Sequence, residues 1–394
     1  VATVVVQRGR VQPLWAGHPW VFAQAVASIE GAPAAGDVVD VVDPSGNFLG
    51  RGYWSPGSAI PVRIATRDPR DPLDGASIGR AIERAAALRA RLGLPCEETT
   101  GYRLVHSEGD GLPGLIVDVL GDVAVVQLLT IGMKRREQDV FAHVARIAGA
   151  RTVIEVASEK AQQREGFQAT TAVVRGPDPA RLAFRERGIE FELEPTITQK
   201  TGFYFDQREN RAMIERLARG ARVLDLYAFV GAFSLAAARG GASSVLAIDS
   251  SPVAVATGSR LARRHGYADR IAFECADARV RMAELARKKE RFDVVILDPP
   301  KLAPSVKHLE RARGAYRKLN ADAARLVERG GILASCSCSA AMSAEDLVRT
   351  AALGARDAAR DLTLLSLGQQ GPDHPVPAAF PEGRYLKCAF FRVS

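Results

Sequence analysis

The chain has 394 residues, which is long for one domain, so two or three are expected. Its composition, 47% hydrophobic and 25% charged, is that of an ordinary globular protein, and no apolar run is long enough to span a bilayer as a helix. The formal charge of +8, carried mostly by arginine, favours polyanionic partners such as RNA through phosphate neutralisation.

Five cysteines, Cys96, Cys275, Cys336, Cys338 and Cys388, are odd in number and widely scattered, which argues against a disulfide framework. None has Cys-x-x-Cys spacing, and the six histidines show no ligand pattern, so no metal site is expected. The segment Val1 to Arg10 lacks the basic-then-apolar order of a secretory signal. A cytoplasmic protein is the expectation.

In chain order, the first segment, 1–75, reads as β-rich. Strands are predicted at Thr3–Val6, Gly36–Asp43, Phe48–Tyr53 and Ile60–Ile64, the middle two joined by the turn Pro44-Ser45-Gly46-Asn47. Frequent Gly and Pro between short strands suggest a small barrel. The next segment, 76–185, opens with a linker helix over Ser77–Leu92, ended by Gly93 and Pro95. A hairpin over Leu115–Val119 and Val123–Leu128, a helix over Met133–Ile147, and strands at Val153–Val156 and Thr171–Val174 make it a small α+β unit.

From 186 to 394 the pattern becomes an alternation of strands and helices. Strands are predicted at Arg222–Leu226, Ser244–Ile248, Ile271–Cys275, Val294–Leu297 and Ile332–Ser335. Helices are predicted at Ala232–Arg239, Pro252–His265, Arg279–Lys288 and Leu309–Glu328. This is a doubly wound, Rossmann-like α/β domain. Two late runs, Thr363–Leu367 and Tyr385–Arg392, suit an antiparallel pair closing one edge.

Each strand of that domain ends in a polar motif, and strand carboxyl ends share the ligand-binding edge of such a sheet. The turn Asp225-Leu226-Tyr227-Ala228-Phe229-Val230-Gly231 has one glycine where a dinucleotide site needs three, which points away from nicotinamide. S-adenosylmethionine, an adenosyl cofactor without a pyrophosphate, needs less clearance. Asp249 can accept the ribose hydroxyls, and Asp277 can accept from the adenine amino group. An acidic pocket also suits a sulfonium cation. Tyr227, Gly231, Ser250 and Ala278 stand beside these carboxylates in the same turns. Any one Asp could instead be a helix cap.

The motif Asp298-Pro299-Pro300 would hold Asp298 rigidly where it can hydrogen-bond a flipped-out base. Cys336 and Cys338 close the fifth strand, and strand alternation would point both to one face. A thiolate attacking carbon 6 of cytosine activates carbon 5 for methylation. Asp298 would bind the N3/N4 edge, protonated if it donates to N3. Buried cysteines also serve simply as small core residues. His374, in a polar loop before the last strand, is expected in a turn role.

Together these motifs resemble the bacterial 23S rRNA cytosine-5 methyltransferase I family, nearly end to end. His18-Pro19-Trp20-Val21-Phe22, Gly36-Asp37 and Gly50-Arg51-Gly52 look like its PUA domain, an RNA-binding barrel. Ser107-Glu108-Gly109-Asp110-Gly111-Leu112-Pro113-Gly114 looks like the start of its central domain. Lys200-Thr201-Gly202-Phe203-Tyr204-Phe205-Asp206-Gln207-Arg208 is similar to a segment that in the family lies beside the cofactor, which implies contacts from Gln207 and Arg208. Asp373-His374-Pro375-Val376 and Pro381-Glu382-Gly383-Arg384-Tyr385-Leu386-Lys387 complete the likeness. Phe229-Val230-Gly231 replaces the family's Thr-Gly-Gly or similar turn, and the usual single Ser-Cys-Ser is doubled. Aligning Ala341-Met342-Ser343 makes Cys338 the implied nucleophile, with Asp298 as the other catalytic residue and Asp298 also at the cofactor.

The resemblance implies S-adenosylmethionine as cofactor, large-subunit (23S) rRNA as substrate and a possible homodimer. Two other readings stay open. One is methylation of an exocyclic amine, against which Lys301 stands where an aromatic is usual. The other is an RNA-binding protein without catalysis.

Overall fold

The computed structural model describes residues 1–197, 202–302 and 306–394. Lys200 and Thr201 of the segment before Arg208 lie outside the described residues. The chain forms two compact units, Val1–Phe205 with Pro372–Gly383, and Asp206–Gly371 with Arg384–Ser394.

In the first unit, β1 (Ala2–Val6), β2 (Trp20–Val21), β3 (Val26–Glu30), β4 (Val38–Val42), β5 (Phe48–Trp54) and β6 (Val62–Thr66) form one sheet. Its order is β2-β6-β5-β4-β1-β3. A second sheet, in the order β11-β10-β9-β8-β7, holds β7 (Gly101–His106), β8 (Leu115–Leu120), β9 (Val123–Leu128), β10 (Thr152–Glu155) and β11 (Ala172–Arg175). The hairpin β12 (Leu182–Glu186) and β13 (Ile189–Leu193) packs Phe184 and Phe191 against Phe203 and Phe205.

The first sheet keeps a core of its own, around Val4, Val39, Leu49 and Ile64, and the core of the second sheet reaches it through Tyr53. Tyr53 of β5 packs with Leu73, Ile78, Leu104 and Met133. The helix Gly75–Arg91, expected as a linker, is part of this core through Ile78, Ala81, Ile82 and Ala85. Asp74 caps it by accepting from the Ser77 amide at 2.8 Å.

The Ser107–Gly114 motif fastens this unit. Asp110 takes both ends of the buried Arg89 guanidinium, and Glu108 accepts from the Trp20 indole at 2.8 Å. Gly109 lies against the Pro375 carbonyl, where a Cβ would sit 1.9 Å away, so only glycine fits. The segment 372–383 thus docks on the first unit. Asp373 accepts from the Arg103 amide, its carbonyl accepts from Arg89, and His374, in the bend after the turn at Pro372 and Asp373, is buried against His106.

The second unit is built on seven strands: β14 (Arg222–Leu226), β15 (Ser244–Asp249), β16 (Ile271–Cys275), β17 (Phe292–Leu297), β18 (Val327–Ser337), β19 (Leu362–Gly368) and β20 (Lys387–Val393). The order is β16-β15-β14-β17-β18-β20-β19. The first five are parallel, while β20 is antiparallel to both β18 and β19. The late pair therefore closes one edge as expected. Runs such as Val294–Leu297 are buried on both faces, which is why they read as continuous apolar stretches. The core joins Leu224, Leu226, Val295 and Leu297 to Tyr316, Leu319 and Leu347 of the covering helices.

Topology sets where ligands can enter. β14 lies between β15 and β17, so strand order reverses there and a crevice opens at the carboxyl ends. Among the described residues, no helix is long and apolar enough to cross a membrane.

Replacing Asp110 with Ala would strand the buried Arg89 charge, whose side chain is 1% exposed. A loss of about 3–5 kcal/mol is expected, read as a lower urea midpoint. A change below about 0.5 kcal/mol would show that the pair does not hold the unit together.

Candidate active site

The parallel register brings the motifs to one edge. Leu226 faces both Ile248 and Leu297, Asp249 faces Cys275, and Leu297 faces Ser335. The residues after these positions emerge side by side.

The turn after β14 is conformationally costly. Tyr227 and Phe229 have φ of +64° and +53°, a left-handed region that disfavours side chains. Such residues cost of order 1–3 kcal/mol each and persist only when their surroundings hold them. Here the Phe229 amide donates to Asp249 at 2.8 Å, and the Ala228 amide donates to the Ile248 carbonyl at 3.0 Å. The second Asp249 oxygen accepts from the Ser251 amide at 2.9 Å. Asp249 therefore ties the β14 turn to the β15 turn. Gly231 closes the loop at φ +75°, and a Cβ there would meet the Phe273 ring at 2.5 Å.

Asp225 is 1% exposed. One oxygen accepts from the Ser234 hydroxyl at 2.6 Å, and the other is buried without a hydrogen-bond partner. Burial pushes its pKa up to about 7; the Ser234 bond opposes this, and the charges of Asp298 and Asp249 add to it. Three carboxylates thus share one electrostatic neighbourhood, and one of them holds an unused buried acceptor. A cationic group that donates hydrogen bonds fits this arrangement.

Asp277 does what any single Asp might. It caps the helix Ala278–Arg287, accepting from the Arg279 and Val280 amides, and pairs with the Arg279 guanidinium at 3.0 Å. Those contacts, led by the Arg279 side chain, hold its pKa below the usual value. Ala278 is buried beneath it, and Ser250 is exposed at the end of β15. Tyr227 is half-buried and lies within the field of Asp277 and Arg279.

Asp298 is oriented by a relay that motif reading missed. The Gln207 amide donates to Asp298 at 2.9 Å, and the Gln207 carbonyl accepts from Asn210 at 2.6 Å. Gln207 and Asn210 are 3% and 2% exposed, so the relay is sealed from solvent. Gln207, implied as a cofactor contact, is placed on the Asp-Pro-Pro carboxylate, and Arg208 is buried beside it in the chain.

The two cysteines of the fifth strand differ. Cys336 is fully buried, donates to Cys388 at 2.9 Å across the β18–β20 pair, and has its pKa raised well above the thiol range, chiefly by burial. β18 ends at Ser337, one residue before Cys338. Cys338 is half-buried at the edge. Around it, the buried Tyr316 hydroxyl donates to Ser337 at 2.9 Å, with its pKa pushed up to about 12 by burial. The Lys387 ammonium donates to the Ser339 carbonyl at 3.0 Å. Tyr316 feels both Cys338 and Asp298, and Cys336 feels Asp298 as well. Among the described residues, no cluster of His, Cys, Asp and Glu could hold a metal ion.

Comparison with known proteins follows this geometry. A family described as a PUA-like domain matches residues 4–67, and one described as S-adenosylmethionine-dependent methyltransferase matches residues 103–379. Ribosomal RNA large subunit methyltransferase I of Shewanella amazonensis is 37% identical over 397 residues, covering 99% of each chain. Its namesake in Alteromonas mediterranea is 36% identical over 387 residues, covering 98% of this chain and 97% of its own. A solved structure assigned as an S-adenosylmethionine-dependent methyltransferase of Streptococcus mutans has a TM-score of 0.85 at 20% identity, covering 99% of both chains. A methyltransferase assignment complexed with S-adenosylhomocysteine has a TM-score of 0.86 at 20% identity, again over 99% of both. At that identity these structures share the fold.

The buried Asp225 makes stability depend on pH. Its folded pKa of about 7 lies above the unfolded carboxylate value. Its contribution is therefore fully present below about pH 4 and lost as pH rises through about 7. Relative to wild type, Asp225→Asn should gain roughly 2–4 kcal/mol between those limits, measured as the difference in urea midpoints. A difference that does not change with pH would contradict an ionising buried Asp225.

Proposed function

Because the chain belongs to the ribosomal RNA large subunit methyltransferase I family of S-adenosylmethionine-dependent methyltransferases, we propose that it methylates carbon 5 of a cytosine in 23S rRNA through a covalent adduct on Cys338. The observation that carries this reading is the contrast at the sheet edge. Cys338 is half-buried at the edge, whereas Cys336, which itself lies in the field of Asp298, is fully buried and sealed against Cys388.

S-adenosylmethionine, when bound, supplies an electrophilic methyl on a sulfonium. Asp249 would accept from its ribose hydroxyls, and Asp277 from its adenine amino group. The unused Asp225 oxygen suits its cationic end. Tyr227, Gly231, Ser250 and Ala278 would line the same turns.

Cys338 acts as a thiolate, forming a bond to carbon 6 and pushing an electron pair onto carbon 5. Carbon 5 would then take the methyl that the cofactor supplies, with S-adenosylhomocysteine as the leaving group. Loss of the carbon-5 proton to a base returns the electrons, and the bond to Cys338 breaks to release thiolate and 5-methylcytosine. Asp298, held by Gln207 and Asn210, would bind the N3/N4 edge and keep the flipped base in line. The PUA-like segment would contribute RNA contacts, with the basic Arg8 and Arg10 near Trp15, which is 77% exposed and can stack on a base.

Methyl transfer to protein-free large-subunit rRNA and to large-subunit particles, followed by nucleoside analysis, tests the reading. 5-Methylcytidine is expected from wild type. Cys338→Ala should lower transfer by at least roughly a thousandfold, and Asp298→Asn by roughly a hundredfold. A different methylated nucleoside, or full activity in Cys338→Ala, would overturn it.

A further inference from the structure

Lys387 opens β20 opposite Ser337 of β18, ahead of the buried run Cys388–Phe391. It is 5% exposed. A lysine is almost never buried this deeply without a counter-charge, because desolvating an ammonium is costly. Its hydrogen-bond partners are two backbone carbonyls, Ser339 at 3.0 Å and Tyr385 at 3.2 Å. Carbonyls satisfy protons without neutralising charge, and the ammonium has three protons to place.

We infer that Lys387 is a positioning residue for the thiol chemistry: its ammonium pins the Ser337-Cys338-Ser339 turn and turns a fixed positive charge toward the Cys338 sulfur. The inference rests on the reading of Cys338 as nucleophile. An aliphatic side chain would fill the same space more cheaply, so the buried charge needs a reason beyond packing. Two anions lie within its field, the Glu345 carboxylate and a thiolate at Cys338, and the thiolate stands one residue from the Ser339 carbonyl that the ammonium holds.

The groups around the ammonium pull in both directions. Cys338 and Glu345 favour its protonated form and Lys301 opposes it, while burial, the largest influence, pulls its pKa down to about 8. At neutral pH the charge is therefore still in place. In return, a cation beside a thiol favours the thiolate, the reactive form.

The test uses the full-length protein without RNA or cofactor. Iodoacetamide alkylation of Cys338 is followed by peptide mass spectrometry from pH 6 to 10 in wild type, Lys387→Arg and Lys387→Met. Cys96 and Cys275, which are exposed, serve as internal references. In Lys387→Met the midpoint for Cys338 should move up by about one pH unit or more, so that its rate at pH 7 falls roughly tenfold. Lys387→Arg should keep most of the wild-type profile. Superimposed profiles for wild type and Lys387→Met would overturn the inference. If Lys387→Met lets Cys336 and Cys388 react, it has unfolded, and Lys387→Gln is read in its place by the same criteria. The outcome is independent of the proposed reaction, since alkylation is measured without methyl transfer. Retained transfer in Cys338→Ala would remove the reaction while leaving the alkylation result standing.

Discussion

Desolvated charge at the carboxyl edge of the parallel sheet is the constraint on which the second unit depends. Strand register leaves no freedom here. Once Leu226, Ile248 and Leu297 pair, Asp225, Asp249 and Asp298 must gather at one end. The protein bears part of their repulsion at Asp225. It leaves Asp225 with an unused acceptor and a raised pKa, at a cost in stability, and covers that cost with a wide apolar core. A pocket that is unfavourable when empty favours a cation that enters it.

The same economy governs the surrounding loops. Asp249 binds two backbone amides and thereby holds Phe229 in a left-handed conformation that a bulky residue would otherwise leave. Gln207 and Asn210 perform the corresponding task for Asp298, from a helix earlier in the chain. On the far side of the sheet centre, Tyr316, Ser337 and Lys387 hold the turn bearing Cys338. Reactive groups stand on short turns, and each turn is tied down by a buried polar side chain from a different element. Rigid placement of this kind is what orients a base and a methyl donor for in-line reaction.

How much of this was legible depended on how local the signal is. Buried parallel strands announce themselves as apolar runs, so Arg222–Leu226 has the bounds expected of it. The strand Val26–Glu30 is largely exposed, and β7 and the β12–β13 hairpin are short and interspersed with charge, so none stood out. Strand-end aspartates were visible as a set, yet nothing local distinguishes Asp277, a helix cap, from Asp225, a buried acceptor. Gln207 and Lys387 were visible as parts of motifs, but their roles were not, because each acts on a partner distant in sequence. Side-chain alternation suggested that Cys336 and Cys338 share a face, but it does not tell the sealed thiol from the half-buried one. The segment 372–383 read as a loop before the last strand, and its return to the first unit depends on Arg89, Arg103 and Gly109, which no local pattern links to it.

The account turns on a covalent bond between Cys338 and carbon 6 of the target base. Large-subunit RNA carrying 5-fluorocytidine tests this directly, because fluorine at carbon 5 cannot leave as a proton and the adduct cannot resolve. Incubation with the protein and S-adenosylmethionine, followed by denaturing electrophoresis and peptide mapping, should yield a protein–RNA complex joined at Cys338. No complex in a preparation that methylates unmodified RNA, or a complex joined at Cys336, would contradict the account.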